Sequence, residues 1–123
     1  MSAVPTFGTV VLDCPDPKLL GEFYGALLDW GQPELNQDGD AYWADLSGPG
    51  GVMISFQRVD DYRAPQWPGQ DVPQQLHLDL RVDDLAAGRE RALALGAKLL
   101  DDSHETFHVY ADPDGHPFCL CAC

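Results

Sequence analysis

Residues 76–96, LHLDLRVDDLAAGRERALALG, decide the fold, because residues 8–28, GTVVLDCPDPKLLGEFYGALL, run in the same order. In the later stretch Leu76 to Val82 reads as a strand. Asp83 and Asp84 then cap a helix through Leu95, and Gly96 suits the reversal after it. In the earlier stretch Phe7 to Asp13 is a β-branched, apolar strand. Asp16 caps a helix whose first turn takes Pro17, and Leu19, Leu20, Phe23, Tyr24, Leu27 and Leu28 recur at helical spacing as one apolar stripe. Thr9 lies seven residues before Asp16 and His77 seven before Asp84 (16 − 9 = 84 − 77 = 7). Thr9 therefore corresponds to His77, Val11 to Asp79 and Leu27 to Leu95, an offset of 68.

Outward from these stretches the repeat continues. Pro33 and the polar run Asn36 to Asp40 break the first helical pattern. Ala41 to Ser47 and Gly51 to Arg58 then read as strands joined by Gly48-Pro49-Gly50. In the second half Lys98 to Leu100, Phe107 to Ala111 and Phe118 to Cys123 read as strands, the last two joined by Asp112-Pro113-Asp114-Gly115-His116-Pro117. Matching the turns pairs Gly50 with Gly115, Ser47 with Asp112 and Ile54 with Cys119, an offset of 65. An insertion or deletion between helix and hairpin accounts for the difference. Val59 to Gln75, with Pro65, Pro68 and Pro73, is an extended connection. Its Trp67 either pins the connection to the core or serves as a pocket lid or dimer contact. Each half makes a helix-coated sheet of about four strands, and neither buries enough alone. If the two sheets curl toward each other, the cleft between them is the expected binding site.

Composition narrows function. The chain has 123 residues and 13.5 kDa, 45% hydrophobic and 22% charged, as a soluble globular chain does. Lys+Arg 7 against Asp+Glu 20 gives 7 − 20 = −13. That excludes a phosphate-reading nucleic-acid binder and argues against anionic membrane surfaces. A neutral or cationic small molecule remains open, as does a purely solubilising role for the surplus acid. No apolar run approaches the roughly 20 residues of a membrane span, and no secretion signal is visible at the N-terminus. Cys119, Cys121 and Cys123 alternate along one strand face, and the spacing of paired Cys-x-x-Cys zinc motifs is absent. A reduced, cytoplasmic protein is expected.

Asp16 before Phe23-Tyr24, His77 opening a strand, and Asp112-Pro113-Asp114-Gly115-His116 before the last strand carry a resemblance over about residues 7–121. The chain resembles the vicinal oxygen chelate (VOC) superfamily of glyoxalase I, extradiol dioxygenases, fosfomycin-resistance enzymes and bleomycin-resistance proteins. The long connection with Trp67-Pro68 and Gln74-Gln75-Leu76-His77 is similar to its glyoxalase-like subgroup. The resemblance implies an α+β fold of two βαβββ modules pairing into a curled mixed sheet with a central cleft. One domain would cover 1–123: module 1 about 5–58, linker 59–75, module 2 about 76–123. It also implies a homodimer and a divalent metal held by His, Glu or Gln. Carried over, the four ligand positions are Thr9, Ile54, His77 and Cys119. Only His77 is a ligand of the family's type, and Ile54 cannot bind metal.

No cofactor is therefore expected and a divalent metal is disfavoured. If one binds, His77 and Cys119 hold it, and Asp79, on the face of His77, can add a carboxylate. Strand parity places Val52, Ile54, Phe56 and Arg58 on one face, Val11 and Asp13 with Thr9, and Cys121 with Cys119. The expected ligand-binding set is Thr9, Trp43, Val52, Ile54, Phe56, His77, Asp79 and Cys119, with Trp43 preferred to Tyr42 for the cleft. His104, His108 and His116 read as surface or turn residues. Cys119 beside His77 also makes a nucleophile–base pair, although no oxyanion donor accompanies it. Gly48-Pro49-Gly50-Gly51 is a hairpin turn, not a phosphate cradle. The expectation is a metal-free, homodimeric small-molecule binder of the bleomycin-resistance kind, holding an apolar, neutral-to-cationic ligand and contacting neither nucleic acid nor membrane. The alternative is a VOC enzyme (lyase, isomerase or dioxygenase), metal-dependent or using His77 or Asp79 as general base.

Overall fold

The computed structural model describes residues 3–122. These fall into two compact units that divide between Asp60 and Asp61. The first contains β1 (Val10–Cys14), α1 (Pro17–Leu28), β2 (Glu34–Asp38), β3 (Ala41–Ser47) and β4 (Met53–Arg58). The second contains β5 (Leu78–Arg81), α2 (Leu85–Ala94), β6 (Lys98–Asp101), β7 (Phe107–Ala111) and β8 (Pro117–Cys121). Each is a βαβββ module with one four-stranded mixed sheet, in the order β1-β4-β3-β2 and β5-β8-β7-β6. The strand that opens each module lies parallel to the strand that closes it, and the other pairings are antiparallel.

Both helices start where an aspartate satisfies free amide groups. Asp16 accepts from the N–H groups of Lys18 and Leu19 at 3.0 and 3.3 Å, and Asp84 from those of Ala86 and Ala87 at 2.9 and 3.3 Å. α1 presses Leu20, Phe23 and Tyr24 onto its sheet, and Tyr24 stacks on Phe56 at 5.7 Å. The return from α1 is tight: a Cβ on Gly25 would overlap the carbonyl oxygen of Gly31. α2 is held more lightly, with Ala92 its one fully buried residue.

β2 differs from the expected break at Asn36 to Asp40. It is an edge strand, largely exposed on both faces, so it needs no apolar alternation, and Gly39-Asp40 turns it into β3. β1 begins at Val10 instead of Phe7, which is 83% exposed. β8 ends at Cys121, and the expectation for Cys123 lies outside the described residues.

The hairpins correct the repeat register. Ser47 faces Met53 and Ala111 faces Pro117, so Gly48–Val52 corresponds to Asp112–His116. The offset is 111 − 47 = 64, not 65. Gly51, not Gly50, is the partner of Gly115; their φ values are 78° and 93°, the left-handed region that glycine enters without strain. Ser55, not Ile54, is the partner of Cys119. One residue of slip moves every side chain of a strand to the other face.

The connection carries neither helix nor strand after Asp60 and belongs with the second unit. Tyr62 donates its hydroxyl proton to the Asp114 carbonyl at 2.8 Å and lies 3.1 Å from His116 Nε2. The Asp112 carboxylate, wholly buried, accepts from the N–H groups of Asp114 and His116 and pairs with His116 Nδ1 at 2.8 Å. This pairing of His116 with a buried carboxylate was not foreseen from its place in the turn.

Candidate functional site

On the face of the first sheet turned away from α1, Thr9, Val11, Trp43, Asp45, Ser55 and Gln57 line a cavity of about 360 Å³. A polar chain crosses it. Asn36 donates to Asp45 Oδ2 at 3.2 Å, Ser55 Oγ donates to Asp45 Oδ1 at 2.7 Å, and Thr9 Oγ1 lies 3.0 Å from Ser55 Oγ. The Ser55 proton is committed to the carboxylate, and the single Thr9 hydroxyl proton has Ser55 Oγ and the Val10 and Met53 carbonyl oxygens within reach, the last two at 3.2 Å.

The same wall recurs in the second module. His77, Phe107, Val109 and Cys119, with Trp67, Gln74 and Pro117, line a cavity of about 140 Å³. Trp67 also borders a second cavity beside Lys98 and Pro113, so the connection is packed against its own unit at this residue. Asp79 pairs with Cys119 in the parallel ladder, as Val11 pairs with Ser55. His77 Nε2 lies 3.2 Å from Asp79 Oδ1, and one ligand atom from each of His77, Asp79 and Cys119 falls within 4.8 Å of the others. Burial pushes the Cys119 thiol up to about 11, and the Asp79 charge and its hydrogen bond push the same way. Gln74 Oε1 is buried with no hydrogen-bond partner among the described residues.

The expected binding set is therefore split. Thr9 and Trp43 lie on the first cavity, and His77 and Cys119 on the second, with Asp79 beside them. Ile54 and Phe56 do not reach the cavity face. They are 6% and 0% exposed and belong to the core under α1, where Phe56 meets Tyr24. Val52 ends the turn before β4, 53% exposed, and lines neither cavity. The shifted register is the cause. Asp45, Ser55 and Gln57 were missed, although the alternation Ile54, Ser55, Phe56, Gln57 marks Ser55 and Gln57 as the face opposite the core.

The metal that the fold family implies can be tested against these donors. Imidazole nitrogen, carboxylate oxygen and thiol sulfur converge, which gives three ligands and leaves an open position, an arrangement suited to a borderline ion such as zinc. Manganese, which prefers oxygen donors, suits the thiol poorly. Binding has to displace the Cys119 proton, so it is opposed at neutral pH and favoured by alkali.

Known structures share the architecture. The fosfomycin-resistance protein FosX from Mesorhizobium loti superposes with a TM-score of 0.70 at 12% identity, over 98% of this chain and 93% of that one. A mutant FosX from Listeria monocytogenes, complexed with Mn(II) and 1S,2S-dihydroxypropylphosphonic acid, gives 0.68 at 16%, over 97% and 90%. A glyoxylase/bleomycin resistance protein/dioxygenase domain from Frankia sp. EAN1pec gives 0.66 at 19%, over 97% and 98%. At these identities the likeness is one of fold. No curated protein matches significantly. A family model described as a glyoxalase-like domain matches residues 9–121, nearly the whole chain. With two βαβββ modules and this match, the chain belongs to the glyoxalase-like domain family.

Proposed function

We propose that the protein is a small-molecule-binding member of the family, holding a largely apolar, neutral or cationic ligand without a resident metal. The observation that supports this is the makeup of the second-module cavity. Trp67, Phe107, Val109 and Pro117 supply apolar wall, while His77 and Gln74 supply directed polar contacts. The −13 charge disfavours an anionic ligand. The protein is read as a cytoplasmic homodimer. No helix among the described residues is long and apolar enough to cross a membrane.

A second reading, a VOC enzyme, is favoured by the convergence of His77, Asp79 and Cys119. A divalent ion held there would act as a Lewis acid toward a bound oxygen. Without one, Asp79 orients the His77 ring and His77 serves as general base toward a ligand proton.

Elemental analysis after expression with added zinc and manganese separates the readings. The binding reading expects only trace metal in both the parent and His77→Ala. About one ion per chain, lost in His77→Ala, overturns it and supports the enzyme.

A further inference from the structure

The first-module cavity holds an anion with no ionic partner. Asp45 is half-buried, and no Lys, Arg or His lies within ion-pair distance of it among the described residues. Each of its oxygens takes one hydrogen bond, from Ser55 and from Asn36, and each keeps capacity for another. Those two donors fix the carboxylate in one orientation, and the Thr9 hydroxyl lies 3.0 Å from Ser55 Oγ on its other side. Trp43, two residues earlier on β3, shares the same face and the same cavity, with Val11 adding apolar wall. One carboxylate with neutral hydroxyl and amide neighbours is too few oxygen donors for a calcium-type ion, which takes six to eight. A carboxylate and an indole lining one cavity suit an organic ammonium, attracted by the charge and by the ring quadrupole together.

We propose that this cavity is a binding site for the ammonium group of a small organic amine, with Asp45 as the charge partner and Trp43 as the stacking wall. Its volume of about 360 Å³ admits an amine with a flat apolar body. The site lies wholly within the first module and does not rest on the reading of the His77 cavity.

The test uses the full chain and three probes of similar shape: 2-phenylethylamine, 2-phenylethanol and 3-phenylpropionate. Affinities are read by calorimetry and positions by backbone and indole amide NMR shifts. The amine is expected to bind at least tenfold more tightly than the alcohol, and the propionate not at all. Asp45→Asn should cost the amine at least tenfold and leave the alcohol unchanged, and Trp43→Ala should weaken both. Added salt should weaken the amine alone. Equal affinity for amine and alcohol, or amine affinity untouched by Asp45→Asn, overturns the proposal. If Asp45→Asn does not fold, the parent decides: amine-induced shifts at Asp45, Ser55 and the Trp43 indole support the site, and their absence overturns it. Amine binding lost in His77→Ala but kept in Asp45→Asn also overturns it, while leaving the second-module cavity as a ligand site.

Discussion

Cys119 combines burial with a neighbouring carboxylate, and both keep its proton in place. With the thiol raised from 9 to about 11, its thiolate fraction near neutrality is roughly 100-fold below that of an ordinary thiol. In a protein carrying Cys121→Ser and Cys123→Ser, iodoacetamide at pH 7.5 should therefore label Cys119 at least a hundredfold more slowly than a free cysteine peptide, read by mass spectrometry. The same shift sets an alkaline limit. Below pH 9, the ordinary value for this group, the thiol is protonated in both folded and unfolded chains and does not affect stability. From pH 9 to about 11 the unfolded chain loses its proton first, so stability falls with rising pH. Melting curves across this range should slope less steeply for Cys119→Ala than for the parent. The grouping of His77, Asp79 and Cys119 was legible from the sequence, because the first two are two apart on one strand and the third stands at the last-strand ligand position that the family resemblance implies. Asp45 and Ser55 were not, because matching the turns on Gly50 slips the repeat by one residue, and only the pairing of Ser47 with Met53 and of Ala111 with Pro117 sets Gly51 against Gly115.

At the scale of elements, the caps and the close approaches carry definite costs. Asp84→Ala should destabilise by about 1 kcal/mol, and Asp16→Ala by a similar amount, read from denaturant midpoints. The Asp84 change should have the greater effect on local opening, because α2 buries so little against its sheet, and hydrogen exchange in α2 should report it. Gly25→Ala should cost more than either, since the added methyl meets the Gly31 backbone, which cannot swing away as a side chain can. Phe56→Ala should cost about 3–5 kcal/mol, the behaviour of a core residue stacked on Tyr24 rather than of a binding residue. Both helices and their capping residues were legible because capping and a 3.6-residue stripe are local signals. β2 was not, because ELNQD has no strand signal of its own and is ordered by pairing with β3.

For the molecule as a whole, the apolar surface that remains sets the expected association state. Val11, Leu19, Leu35, Val52 and Leu76 are each more than 40% exposed, and β2 and β6 are edge strands of their sheets. We expect two chains to associate. Light scattering at micromolar concentration should give twice 13.5 kDa, and a mass of 13.5 kDa would refute this. The repeat was legible at this scale because strand, cap and helix recur in order even where identities do not. Its one-residue slip was not legible, because a five-residue hairpin with two adjacent glycines, both in the left-handed region, offers two matches and only the strand pairing on either side chooses between them.

The duplicated wall makes the two modules interchangeable templates for engineering. Val11 pairs with Ser55 as Asp79 pairs with Cys119, and Thr9 and His77 each stand two residues before the first of the pair. Transplanting the trio by Thr9→His, Val11→Asp and Ser55→Cys should install a second set of nitrogen, oxygen and sulfur donors on a scaffold whose backbone already has the required spacing. Asp45, now 2.7 Å from the Ser55 oxygen, would stand ready as a fourth donor that the natural trio lacks, because Val109 occupies the equivalent place. Cobalt(II) added at pH 8 to a graft that also carries His77→Ala should give the visible absorption of a tetrahedral thiolate site, and His77→Ala alone should not.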